Sequence, residues 1–230
     1  MAKGKMKSFK EKSIIAKIIT VLVVLACLAV VGFGAYWAYN YVVVREMGRY
    51  GKVVSDADNP VPKPDIDVKL LEANEYSRPG TKVDIIKGIV IHYTANPGTS
   101  ALNNRNYFNN LKDTHDTYAS SNFIVGIEGE IIQCVPTWEV AYASNDRNND
   151  TISIENCHIN EDGSFEKATY DSLVHLTAWL TVKFGLTTDD IIRHYDVTGK
   201  LCPKYFVEHE DKWKVFKKDV QLYIDECYEK

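Results

Sequence analysis

From residue 67 onward the apolar positions change period several times, and each change predicts an element. DIIKGIVIHYT (84–94) is a β-branched run ending at His92 and predicts a strand. SALNNRNYFNNL (100–111) predicts a helix with a face of asparagines, and SNFIVGIEGEIIQCVP (121–136) a hairpin turning at Glu128-Gly129. VAYAS (140–144) reads as a short strand and NDRNND (145–150) as a loop. TISIENCHI (151–159) alternates cleanly, with Ile152 and Ile154 on one face and Ser153, Glu155 and Cys157 on the other. ATYDSLVHLTAWLTVKFG (168–185) carries a helical stripe of Leu173, Val174, Leu176, Leu180 and Phe184, ended by Gly185. DDIIRH predicts a short strand, and residues 207–227 a closing amphipathic helix. The sum is an α/β fold with a mixed central β-sheet flanked by helices.

Ahead of this domain the pattern is different. Residues 18–44 contain no charged side chain and would span about 40 Å as a helix, more than the roughly 30 Å of bilayer hydrocarbon. Tyr36, Trp37, Tyr39 and Tyr41 gather at the far end of this stretch, as an aromatic belt would. Six lysines and one acid precede it in residues 1–17. The expected organisation is a cytoplasmic basic tail (1–17), a single transmembrane helix (18–44), a linker (45–66) rich in Pro, Asp and Asn, and an extracytoplasmic domain (67–230). A cleaved signal peptide is the rival, disfavoured by the length of the apolar run.

Charge narrows the partners. From Arg45 on the chain has 21 basic and 30 acidic residues, a net of −9, so a nucleic-acid footprint is missing. The cysteines outside the span, Cys134, Cys157, Cys202 and Cys227, are scattered in a domain large enough to fold without staples, and are expected to be free thiols.

Three apolar strands end in a residue able to do chemistry: His92 after GIVI, Glu155 after ISI and His194 after DIIR. Strands that end this way aim such groups at a common rim. RHYDVTGKLCP (193–203) adds Cys202 and, between the two, Lys200. Zinc takes nitrogen and sulfur ligands and keeps an open position for catalysis, so His92, His194 and Cys202 are a candidate set. Spacing alone leaves the blander alternative open, since no HExxH motif is present and single histidines are commonly structural.

IVIHYTANPGTSA, SSNFIVGIEGEIIQCVP, NNDTISIENCH and RHYDVTGKLCPKYF, in that order and spacing, resemble the zinc-dependent N-acetylmuramoyl-L-alanine amidases of the type-2 amidase family, whose fold the peptidoglycan recognition proteins share. The resemblance covers roughly residues 68–224. It implies a Zn²⁺ cofactor on His92, His194 and Cys202, and hydrolysis of the amide between N-acetylmuramic acid and L-alanine of peptidoglycan. Glu155 falls at the family's catalytic acid and Lys200 at a lysine that stabilises the oxyanion, a contribution of several kcal/mol. Ser121 and Asn122 stand where some phage members carry a catalytic tyrosine, so that role is unfilled here. Asn96, Asn122, Tyr142, Arg147 and Asn148 are candidates for substrate contact, with turn chemistry as the rival role. The implied protein is a membrane-anchored cell-wall hydrolase. Its alternatives are a peptidoglycan-binding module that does not cut, disfavoured by the presence of Cys202, Glu155 and Lys200, and a wall-remodelling part of a secretion or conjugation assembly.

Overall fold

The structure is a computed structural model that describes residues 21, 22, 24, 25, 27–36 and 51–229. It divides into two compact units, 1–48 and 49–230. In the first, the described residues between 21 and 36 are helical and exposed. Among the described residues no helix is long and apolar enough to cross a membrane. The rest of the 18–44 span and the whole basic tail lie outside the described residues.

The second unit is built on a six-stranded sheet in the order β1-β4-β3-β5-β2-β6. The strands are β1 (Asp67–Val68), β2 (Gly88–Ile91), β3 (Phe123–Val125), β4 (Ile131–Gln133), β5 (Thr151–Asn156) and β6 (Ile191–Arg193). All neighbours run parallel except β3 and β4, the expected hairpin. Its turn needs Gly129, which has φ 84° and a carbonyl, that of Ala168, 2.9 Å from where a Cβ would sit.

Helices cover both faces, which is why the strands read as short apolar runs. Helix α1 (Ala101–Thr114) lays Ala101, Phe108 and Leu111 over Ile124, Ile132 and Cys134. Ser100 caps it by accepting from the Asn103 N–H, and His115 ends it in the left-handed region at φ 59°. On the opposite face, α2 (Lys167–Lys183) and the last helix pack on Ile89, Ile91, Phe123, Val125, Ile152 and Ile154. The expected stripe of Leu173, Val174, Leu176, Leu180 and Phe184 is buried there.

Four expectations need correction. The first strand is shorter than 84–94, spanning Gly88–Ile91. VAYAS is not a strand; its backbone is used in single contacts, Val140 N–H to Thr81 O and Tyr142 N–H to Ser120 Oγ. The expected closing helix over 207–227 is divided between two helices, α4 (Lys204–Glu208) and α5 (Glu210–Tyr228), broken at His209 with φ −125° and ψ 77°, and a further short helix, α3 (His194–Thr198), precedes them. Finally, the described part of the expected linker is bound to the domain. Val61 is fully buried in the core, Asn59 Nδ2 donates to Trp179 O at 3.1 Å, and Val54 N–H donates to Lys183 O at 2.7 Å. One apolar side chain and one amide suffice to dock a segment whose composition is that of a spacer.

Candidate active site

Strand register assembles the site. Ile91 pairs with Ile154 on one side and with Arg193 on the other. The residues that follow are His92, Glu155 and His194. Because side chains alternate, all three leave the face opposite Ile91, side by side across three parallel strands. The next residues after His194 turn into α3, which Gly199 ends at φ 77°. The chain then returns so that Tyr195 N–H donates to Cys202 O at 2.9 Å, bringing the thiol back beside the histidine.

Cys202 Sγ lies 3.8 Å from His92 Nδ1, and Glu155 Oε1 lies 4.0 Å from the same nitrogen. The His92 and His194 rings are 4.8 Å apart between centres. The other nitrogen of each ring is occupied: His92 Nε2 meets Ser144 Oγ at 3.1 Å and His194 Nε2 meets Asn145 Oδ1 at 3.0 Å. An amide oxygen can only accept, so His194 carries its proton on Nε2 and presents a lone pair at Nδ1. That Nδ1 is buried and without a hydrogen-bond partner, as is Glu155 Oε2. Donor atoms from His92, His194 and Cys202 fall within 4.8 Å of one another. Two imidazole nitrogens and one sulfur, with each imidazole oriented by a second hydrogen bond, fit a zinc ion.

The electrostatics of the two imidazoles suit ligand duty. Burial, with the neighbouring His194 and Lys200 charges, holds His92 well below the ordinary histidine range. Burial and Lys200 lower His194 as well. Both rings are therefore neutral at physiological pH. Burial, reinforced by Glu155, pushes the Cys202 thiol up to about 12, and burial pushes Glu155 up to about 8 against the pull of Lys200.

These groups line one cleft of about 490 Å³, together with Tyr118, Tyr142 and Asn148. Glu155 and Lys200 also border a second hollow lined by Asn96, Asn103 and Asn104. So Asn96 and Tyr142 sit where substrate could reach them. Asn148 does so only partly, because its Oδ1 accepts from the N–H groups of Ala143 and Ser144. Asn122 is a correction. It is buried, with Nδ2 donating to Pro136 O and Oδ1 accepting from the Ser153 N–H and hydroxyl, so it ties the hairpin to β5 instead of facing the cleft. Arg147 is engaged with Asp150. His158 and Cys157 are buried, His158 stacking on Tyr93.

Sequence reasoning missed Ser144, Asn145 and Asn156. Asn145 reaches His194 from a left-handed backbone at φ 52°, and Asn156 Nδ2 donates to His92 O at 2.8 Å. The usable signal was an asparagine opening a polar loop, since asparagine tolerates that conformation better than most residues.

Comparison with known proteins gives the same picture. The family model described as N-acetylmuramoyl-L-alanine amidase matches residues 81–205. A probable N-acetylmuramoyl-L-alanine amidase of Bacillus licheniformis is 38% identical over 163 residues, covering 66% of this chain and 46% of that protein. The N-acetylmuramoyl-L-alanine amidase BlyA of Bacillus subtilis is 37% identical over 172 residues, covering 66% of this chain and 45% of its own length. The chain thus spans about half the length of the curated relatives it matches. Among solved structures, a mutant endolysin from Bacillus subtilis superposes with a TM-score of 0.58 at 29% identity, over 68% of this chain and 98% of that one. The catalytic domain of XlyA gives 0.58 at 27% identity, over 68% and 99%. With the matched segment running from before β2 to past Cys202, the chain belongs to the N-acetylmuramoyl-L-alanine amidase family.

Proposed function

We propose that this protein hydrolyses the amide bond between N-acetylmuramic acid and the L-alanine of the peptidoglycan stem peptide, with a zinc ion held by His92, His194 and Cys202. The observation that carries the reading is the convergence of these three residues, with the second nitrogen of each imidazole already hydrogen-bonded. Zinc bound there supplies Lewis acidity, which polarises a carbonyl and acidifies water.

The chain's own residues do the rest. Glu155 holds a carboxyl at the cleft wall, 4.0 Å from His92 Nδ1, with a burial-raised affinity for a proton. A carboxyl so placed takes a proton from the attacking water and returns it to the leaving amine, work best done by a group whose pKa lies near the working pH. Lys200, on the same cleft wall, places a positive charge where the carbonyl oxygen gains negative charge. Asn145 holds His194 in one tautomer and Ser144 holds the His92 ring by a second hydrogen bond, so no reorientation is needed when a ligand binds.

The uncharged 18–44 stretch with its lysine-rich flank supports a membrane anchor that keeps the domain outside the membrane and close to the wall. The test is a zinc titration of the metal-free chain. Uptake of one ion per chain, lost in His92→Ala, His194→Ala and Cys202→Ala alongside release of L-alanine amino termini from peptidoglycan, is expected. Full cleavage by a variant that binds no metal would end the proposal.

A further inference from the structure

The cleft does not stop at the catalytic groups. Tyr118 and Tyr142, which line it, also line a neighbouring hollow of about 500 Å³ with Ala73, Asn74, Glu75 and Pro79. Tyr118 is 54% exposed, so its ring is open to a ligand in the cleft. It is also braced. Its ring stacks on Tyr76 at 5.0 Å, and Tyr76 stacks in turn on His115 at 4.3 Å. The Tyr118 hydroxyl donates to Glu75 Oε1 at 3.0 Å, and Tyr142 stands edge-on to it at 5.7 Å and 89°. The two rings make a fixed corner between the catalytic cleft and the second hollow.

We propose that Tyr118 and Tyr142 form a sugar-stacking subsite that holds the glycan strand next to the N-acetylmuramic acid whose amide is cut. The inference rests on the amidase reading and assigns a direction to its substrate. Sugar rings present C–H faces that pack on aromatic rings, while their hydroxyls need acceptors at the rim. Glu75 supplies such an acceptor here, through the carboxylate oxygen that the Tyr118 hydroxyl does not use. The stem peptide, by contrast, carries carboxylates, and among the described residues that line this hollow the ionisable side chain besides the tyrosines is the acid Glu75, which repels them. The opposite arm has the complementary character. Asn96 and Asn103 offer neutral amides there, with Lys200 at the inner end, while the Thr99 hydroxyl and Asn104 Nδ2 are bonded to each other. That arm suits a peptide backbone with a carboxylate. The glycan therefore leaves over the tyrosines and the peptide along α1.

The experiment compares the full chain and its variants on two soluble substrates. One is a single N-acetylmuramoyl peptide; the other is an oligosaccharide of alternating N-acetylglucosamine and N-acetylmuramoyl-peptide units. Tyr118→Ala is expected to raise KM for the oligosaccharide about fivefold to tenfold, leave kcat near wild type, and leave the monosaccharide substrate unaffected. Tyr118→Trp, which keeps an aromatic face, should restore the oligosaccharide KM. An unchanged KM on the oligosaccharide, or an equal rise on both substrates, would overturn the subsite. So would a Trp variant as impaired as the Ala variant. If the wild-type chain cleaved neither substrate, the amidase reading itself would fail, and the subsite with it.

Discussion

His194 and Asn145, 49 residues apart in sequence, meet through Nε2 and Oδ1 at 3.0 Å. The contact sets the ring's tautomer and turns Nδ1 toward Cys202 and His92, so an asparagine outside the ligand set decides whether the ligand is ready. Asn145→Ala should leave the fold intact and weaken zinc binding about tenfold to a hundredfold, the usual cost of losing an orienting partner. Competition with a chromophoric chelator reads this directly. Wild-type affinity in the variant would show that His194 is oriented by something else.

Glu155 and the ligands should separate cleanly. Glu155→Gln keeps the shape and adds no charge, so zinc content should stay at wild type while turnover falls about a hundredfold or more. His194→Ala should lose zinc and turnover together. Metal analysis beside a rate assay makes the comparison, and a Glu155→Gln enzyme at wild-type rate would remove Glu155 from the chemistry.

Zinc affinity should depend on pH through Cys202. Its thiol, at about 12 in the buried metal-free site, is protonated throughout the neutral range and must release its proton to bind the ion. His92, held well below the ordinary range, is already neutral and releases none. Affinity should thus rise with pH between about 6 and 8, and Cys202→Asp, which keeps a ligand already ionised in that range, should flatten that slope by about tenfold per pH unit. Equal slopes in the two proteins would contradict the thiolate assignment.

Asn122 offers a test of structure against substrate contact. Its amide joins the Ser153 backbone and hydroxyl to Pro136 O, all buried. Asn122→Ala leaves those partners unsatisfied and should cost about 2–3 kcal/mol of stability, seen as a lowered thermal midpoint. KM for peptidoglycan fragments, measured below that midpoint, should not change.

Much of this was legible in the sequence for a simple reason. His92, Glu155 and His194 sit at the ends of buried strands, and a β-branched run ending in His or Glu is a local pattern. The register of Ile91 against Ile154 and Arg193, which sets the three ends side by side, is not local and needed the fold. The same limit explains the segment before the domain. Pro, Asp and Asn in residues 55–65 match a spacer, and only the tertiary contacts of Asn59 and Val61 show that this part is docked. Asn122 departs in the other direction: by its place near the motif it reads as a candidate for substrate contact, whereas Ser153 and the Pro136 carbonyl satisfy it in the interior.

The central claim is tested most directly by incubating the full chain with purified peptidoglycan, with and without a strong zinc chelator, and weighing the released fragments by mass spectrometry. The account predicts free stem peptides beginning at L-alanine, absent with chelator and restored by added zinc. Intact peptidoglycan after incubation with a chain carrying one zinc, or the same peptides released in the chelated sample, would contradict it.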